Sequence, residues 1–197
     1  MNMNTTRTII NKATAFIILA CSILLNYFCS TLSYVIVLPL YLDSLFTIGI
    51  VALLGCNPGI FCALCTNLLM SIFMHSPFLF CICHICTVFF SMLVFQKFKK
   101  NNAGVSYPIE CFLWAGLWSA ISNGILGNMI ASAVYASNTG RPSATIVVQG
   151  IFCAIPNLEF ANNFGGIIEN IADKTLSSTV SFIFYKIVSR IKFFIEK

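Results

Sequence analysis

Charge is what this chain has least of. Of its 197 residues, eleven are Lys or Arg and six are Asp or Glu, 9% together. A soluble globular domain carries about 25%. That shortage excludes an ordinary soluble domain. The apolar residues make up 58% of the chain and fall in blocks rather than alternating with polar ones, as an integral membrane protein requires. Histidine is rarer still, with two copies. No serine or cysteine nucleophile has a base close by in sequence, no two carboxylates share a mid-membrane face, and no Gly-rich phosphate loop is present. No catalytic role, no cofactor and no ATPase or kinase domain is therefore expected in residues 1–197. If the chain moves a solute uphill, a partner must supply the energy. Low-complexity segments, internal repeats and a soluble appendage are also missing, so the chain reads as one integral membrane domain. The ten cysteines all lie in apolar segments, where cysteine behaves as a small hydrophobe, and nothing suggests a disulfide framework. The net charge of +5 does not indicate nucleic acid, because the basic residues are distributed by topology.

What is present is organised around residues 111–136. Gly116, Ala120, Gly124, Asn128, Ser132 and Ala136 recur every four residues, with Ser119, Asn123, Gly127 and Ala131 in a second row. Residues four apart stack on one helix face. Small residues let helices approach closely in lipid, and buried amides need partners. The stretch therefore predicts a tight helix seam with a polar cavity around Asn123 and Asn128.

The fold class expected is all-α, with six transmembrane helices at about 13–36, 40–56, 60–74, 77–95, 111–136 and 167–188. Ile18-Leu19-Ala20-Cys21 resembles a lipoprotein cleavage box, but the apolar run continues past Cys21, so the first helix is read as retained. Pro39 breaks the chain after the first helix, and Asp43 is read as the cap of the second. Asn57-Pro58-Gly59 is a turn signal. The second and third helices are short for full crossings. Residues 137–166 form an outer loop, whose weakly apolar core at 144–155 is too short to span and is read as interfacial or re-entrant. Basic residues near helix ends stay cytoplasmic. With both termini inside, nine of the eleven lie there: Arg7, Lys12, Lys97, Lys99, Lys100, Lys186, Arg190, Lys192 and Lys197. Arg141 and Lys174 lie outside, together with Asp43, Glu159, Glu169 and Asp173.

Cys81-Ile-Cys-His-Ile-Cys86 has the residues of a metal site but not the spacing. Cys81 and His84 share one helix face and Cys83 and Cys86 another, whereas zinc needs converging ligands. His84 alone is a candidate, since an ionisable group inside a membrane helix is a functional hypothesis by default. Asn67, His84, Asn123 and Asn128 fall in the middle and outer layers. Above them lies the run 156–163, offering Asn157, Glu159, Asn162 and Asn163. Amides and aromatics suit a neutral or zwitterionic ring compound. Glu169, Asn170, Asp173 and Lys174 read as the opening turn of the last helix, where acids favour the dipole.

Three stretches carry a resemblance: Leu38-Pro-Leu-Tyr-Leu-Asp-Ser44, Gly55-Cys-Asn-Pro-Gly59 leading to Thr66-Asn67, and Ile171-Ala-Asp-Lys-Thr-Leu-Ser177. With the six-helix layout, the chain resembles a substrate-binding S component of the energy-coupling factor (ECF) transporters. The resemblance implies a multi-pass protein of a prokaryotic cell membrane that captures a vitamin or similar micronutrient from outside. It also implies partners: a transmembrane coupling protein and two cytoplasmic ATPases. Many such proteins carry an Ala-x-x-x-Ala docking face on the first helix. Here Ala13, Ala15 and Ala20 do not reproduce it, and Ser22-x-x-x-Asn26-x-x-x-Ser30 stands instead. The site expected comprises Asp43, Asn67, His84, Asn123, Asn128, Asn157, Glu159, Asn162 and Asn163. A sensory module signalling occupancy of the same outward pocket to a separate partner is the alternative the sequence leaves open.

Overall fold

The computed structural model describes residues 12–103, 105–135 and 141–195. Arg7, Ala136 and Lys197 lie outside the described residues. The helices are α1 (Lys12–Val35), α2 (Thr47–Leu54), α3 (Cys56–Met74), α4 (Cys81–Asn101), α5 (Ile109–Tyr135), α6 (Pro142–Ala154) and α7 (Leu158–Ile195). A single 3-10 turn, Phe78–Phe80, leads into α4. Among the described residues, four helical segments are long and apolar enough to cross a membrane: Lys12–Val35, Cys56–Met74, Phe78–Asn101 and Ile109–Tyr135. They suit a multi-pass membrane protein. The 38 residues of α7 are also ample in length, but Glu169, Asp173 and Lys174 interrupt its apolar character.

The molecule is apolar outside and polar within, as a lipid environment dictates. Phe16, Leu24 and Phe28 of α1, Trp114, Trp118 and Ile125 of α5, and Ile183, Ile187 and Ile191 of α7 are exposed. Ser22, Asn26, Ser30, Thr47, Thr66, Thr87, Ser119 and Asp173 are buried. The Ser22–Asn26–Ser30 row of α1 therefore faces inward and is not a surface for a docking partner.

The expected second helix, 40–56, is not continuous. After Val35 the chain turns and retraces α1 as non-helical backbone. Ser33 Oγ donates to the Leu38 and Leu40 carbonyls, and Asn26 Oδ1 accepts from Phe46 N at 3.0 Å. Val37 and Leu42 take left-handed conformations in this segment. Helix α2 then adds eight residues, about 12 Å of rise against a hydrocarbon core of about 30 Å. Irregular backbone at such depth is tolerated only where protein supplies its hydrogen bonds. Here Asp173 Oδ1 accepts from both Tyr41 N (3.0 Å) and Leu42 N (2.7 Å), and Ser181 Oγ donates to Leu45 O at 2.6 Å. Asp43 consequently belongs to this segment and does not cap a helix.

The turn expected at Asn57-Pro58-Gly59 also moves. Gly55, at φ 97°, makes the break, a conformation that suits glycine. Pro58 sits in the first turn of α3, where its missing N–H is not needed. Gly59 lies inside the helix, at a point where Val51 and Val88 leave no room for a side chain.

The two small-residue rows of α5 serve two neighbours rather than one broad face. A methyl group on Gly116 would overlap Ser178 Oγ and come within 2.8 Å of the Lys174 carbonyl; on Gly124 it would lie 3.2 Å from Ile167. That row packs on α7. In the other row, Asn123 Nδ2 donates to Thr87 Oγ1 at 3.0 Å, and Gly127 faces Cys83. That row packs on α4.

The last helix begins at Leu158, nine residues before the expected 167. Asn157 is its cap, with Oδ1 accepting from Phe160 N at 3.0 Å. Gly165 and Gly166 read locally as turn residues. In the helix they provide clearance, Gly165 for Val148 and Ile151 of α6 and Gly166 for Asn128.

Between the C-terminal part of α4, the N-terminal part of α5 and the C-terminal part of α7 lies a packed aromatic core. Phe95 and Phe112 are 5.0 Å apart, Phe112 and Tyr185 5.5 Å, and Phe95 and Tyr107 4.7 Å. Lys97, Lys99 and Lys100 lie at this end of α4, and Lys186 and Arg190 at the same end of α7.

Candidate functional site

The opposite end of the helix assembly holds a cavity of about 650 Å³. It lies among the C-terminal parts of α3 and α5, the N-terminal parts of α4 and α7, α6, and the folded-back segment. None of the aromatic core residues lines it. Its volume falls in the range of small-molecule sites, about 300–1,000 Å³.

Seven of the nine residues expected from sequence line this cavity: Asp43, Asn67, Asn123, Asn128, Glu159, Asn162 and Asn163. His84 and Asn157 do not. Asn157 caps α7, as described. His84 is 2% exposed and lies beneath the cavity in a closed polar chain. Its Nδ1 meets Asn67 Nδ2 at 2.9 Å, and its Nε2 meets Thr47 Oγ1 at 2.7 Å. Asn67 also donates to the Ala63 carbonyl at 2.8 Å, and Asn26 Nδ2 donates to Thr47 Oγ1 at 3.0 Å. The amide donor on Nδ1 assigns His84 the neutral tautomer with its proton on Nε2. The ring joins α1, α2, α3 and α4 and has no nitrogen left for a ligand. Of its neighbours in the cysteine-rich run, Cys83 reaches the cavity wall, and Cys81 is buried elsewhere. Among the described residues, no group of three or more His, Cys, Asp or Glu is placed to hold a metal ion.

Asn128 is a clasp as well as a wall residue. Its Nδ2 donates to the Asn163 carbonyl at 3.0 Å and to Asn163 Oδ1 at 3.3 Å. The pair ties the C-terminal part of α5 to α7.

The charged part of the wall comes from residues expected to open a helix. Glu169, Asn170, Asp173 and Lys174 instead lie more than two turns inside α7, on its buried face. Lys174 Nζ contacts Asp173 Oδ2 at 2.8 Å, Ser44 Oγ at 2.7 Å and Asp43 Oδ1 at 3.4 Å. Asp173 uses its other oxygen on the Tyr41 and Leu42 amides. Above this cluster, Tyr41 donates its phenol to Glu169 Oε2 at 3.2 Å. Arg141 lies over the Tyr41 ring, 4.9 Å from its centroid, and donates to Leu40 O and Ser30 Oγ. Tyr41, Arg141, Glu169 and Lys174 are thus wall residues that the sequence did not assign to the site. For Glu169 and Lys174 the available signal was their ionisable character within an apolar helix. The remaining wall is less polar, with Met70, Met74, Phe80 and Tyr135.

Comparison of the chain with protein-family models, characterised proteins and solved structures gives no match.

Proposed function

We propose that this chain is the membrane-embedded solute-binding subunit of an ATP-driven importer for a vitamin-like micronutrient. In this account the protein spans a prokaryotic cell membrane six times with both termini in the cytoplasm. The folded-back segment and α2 together make the second crossing, and α7 makes the sixth. The cavity faces outward and captures the solute. A transmembrane coupling protein and two ATPases provide the energy. The resemblance of three stretches to the S components of ECF transporters supports this assignment.

The observation that carries the proposal is the shape of the interior. A cavity of about 650 Å³, walled by amides and charged groups, ends above a packed aromatic core. A cavity closed at one end suits capture rather than free permeation. The basic residues at the aromatic end agree with that end being cytoplasmic.

The test is affinity purification of the tagged full-length chain from its native host in mild detergent, with mass spectrometry of the co-purifying proteins. A polytopic membrane protein together with two ATPases is the expected result. A kinase in their place would assign the same cavity to a sensor.

A further inference from the structure

Among the described residues, Glu169 is the buried acid of the cavity wall that forms no ion pair within 4 Å, whereas the wall's Glu159 is exposed. Glu169 lines the cavity and is 4% exposed, and its Oε1 is buried without a hydrogen-bond partner. An acceptor left in this state costs the desolvation of the group with no return. The cations nearby have other hydrogen-bond partners. Lys174 is engaged by Asp173, Asp43 and Ser44. Arg141 directs N–H groups to Leu40 O and Ser30 Oγ and lies against the Tyr41 ring. Tyr41 satisfies only Oε2, and by doing so fixes the orientation of the carboxylate.

We propose that the Glu169 carboxylate is the recognition point for a cationic N–H group on the solute, an amine or amidine. This inference rests on the cavity being a solute-binding site and deepens it by naming the charge class. The counting of charge points the same way. With Glu169 ionised, Asp43, Asp173 and Glu169 stand against Lys174 and Arg141, one negative charge over in this buried cluster, and the exposed Glu159 adds a further acid to the cavity wall. A monocationic head would balance the cluster and give the Glu169 carboxylate a charge-assisted donor. The body of the solute would lie between the Asn128–Asn163 side and the Met70, Met74 and Phe80 side. A carboxylate or phosphate head would instead meet Glu169 and be repelled.

Three planar probes of matched size test the charge class on the purified full-length chain in detergent: benzamidine, benzamide and benzoate. The readout is the shift in thermal unfolding midpoint with probe concentration. Benzamidine is expected to raise the midpoint saturably, with apparent affinity about tenfold or more above that for benzamide. Benzoate is expected to have no effect. Glu169→Gln keeps the shape and removes the charge, so it should abolish the preference for benzamidine. Should that variant fail to fold, the ranking of the three probes on the wild-type chain still decides. Equal or better binding of benzamide or benzoate would overturn the charge class while leaving the cavity as a binding site. A benzamidine effect undiminished in Glu169→Gln would overturn the role of Glu169. No shift from any of the three would count against both the inference and the solute-binding proposal beneath it.

Discussion

Replacing Lys174 by Met is expected to lower stability by about 3–5 kcal/mol, the cost of breaking a buried ion pair from one side. The side chain is 4% exposed, and Asp173, its closest partner, is fully buried. Removing the ammonium leaves the Asp173 carboxylate facing Asp43 with no cation between them. The damage should not stay local. Asp173 also holds the Tyr41 and Leu42 amides, so the folded-back segment depends on the same carboxylate. Thermal unfolding in detergent should show the loss, and protease access to residues 36–46 should rise with it. The double variant Lys174→Met with Asp173→Asn provides the control. It removes a charge of each sign, and the amide oxygen still accepts from the two backbone N–H groups. It should recover a large part of the lost stability. A Lys174→Met protein as stable as the wild type would show that the cluster does not hold this segment.

Gly116→Leu is expected to be the most damaging substitution in the α5–α7 seam. Even a methyl there overlaps Ser178 Oγ and crowds the Lys174 carbonyl, which is backbone and does not rotate away. Overpacking of this kind costs about 1–3 kcal/mol where neighbours adjust. A leucine against helix backbone should exceed that range, because α5 and α7 must part along their length. The contrast is Gly150 in α6, where an added Cβ would meet nothing within 4 Å beyond its own helix. Gly150→Ala should be neutral or stabilising by up to about 1 kcal/mol through helix propensity alone. Equal midpoints for Gly116→Leu and the wild type would refute the close approach of the two helices.

The parts of the fold that were legible in the sequence are those set by local pattern. The apolar run and small-residue rows placed α5 within two residues of its observed start, and the first apolar run placed α1. The break in the second helix was not legible. Residues 38–46 are mostly apolar, and what keeps them from helix is a carboxylate more than 130 residues away that takes two of their amides. The start of α7 was misplaced for a related reason. Asn162, Asn163, Gly165 and Gly166 are turn residues by local preference, but here packing against α5 and α6 decides. His84 shows the same limit within the site. An ionisable residue in an apolar helix marks an important position, yet its partners, Asn67 and Thr47, lie on other helices, and they turn it away from the cavity. Conversely, Glu169 and Lys174 looked like capping residues only because the helix was expected to start beside them.

The central claim is that the cavity holds a solute, and native mass spectrometry tests it most directly. The full-length protein would be released from the membranes of its host beside a variant, Gly127→Phe, built to fill the cavity. Gly127 is on the cavity wall, and a Cβ added there meets only Cys83 Sγ beyond its own helix, at 3.9 Å. The wild type is predicted to carry a small organic adduct that is released on activation, and the variant to be folded and free of it. A wild-type protein without adduct, or an adduct that Gly127→Phe retains in full, would contradict the account.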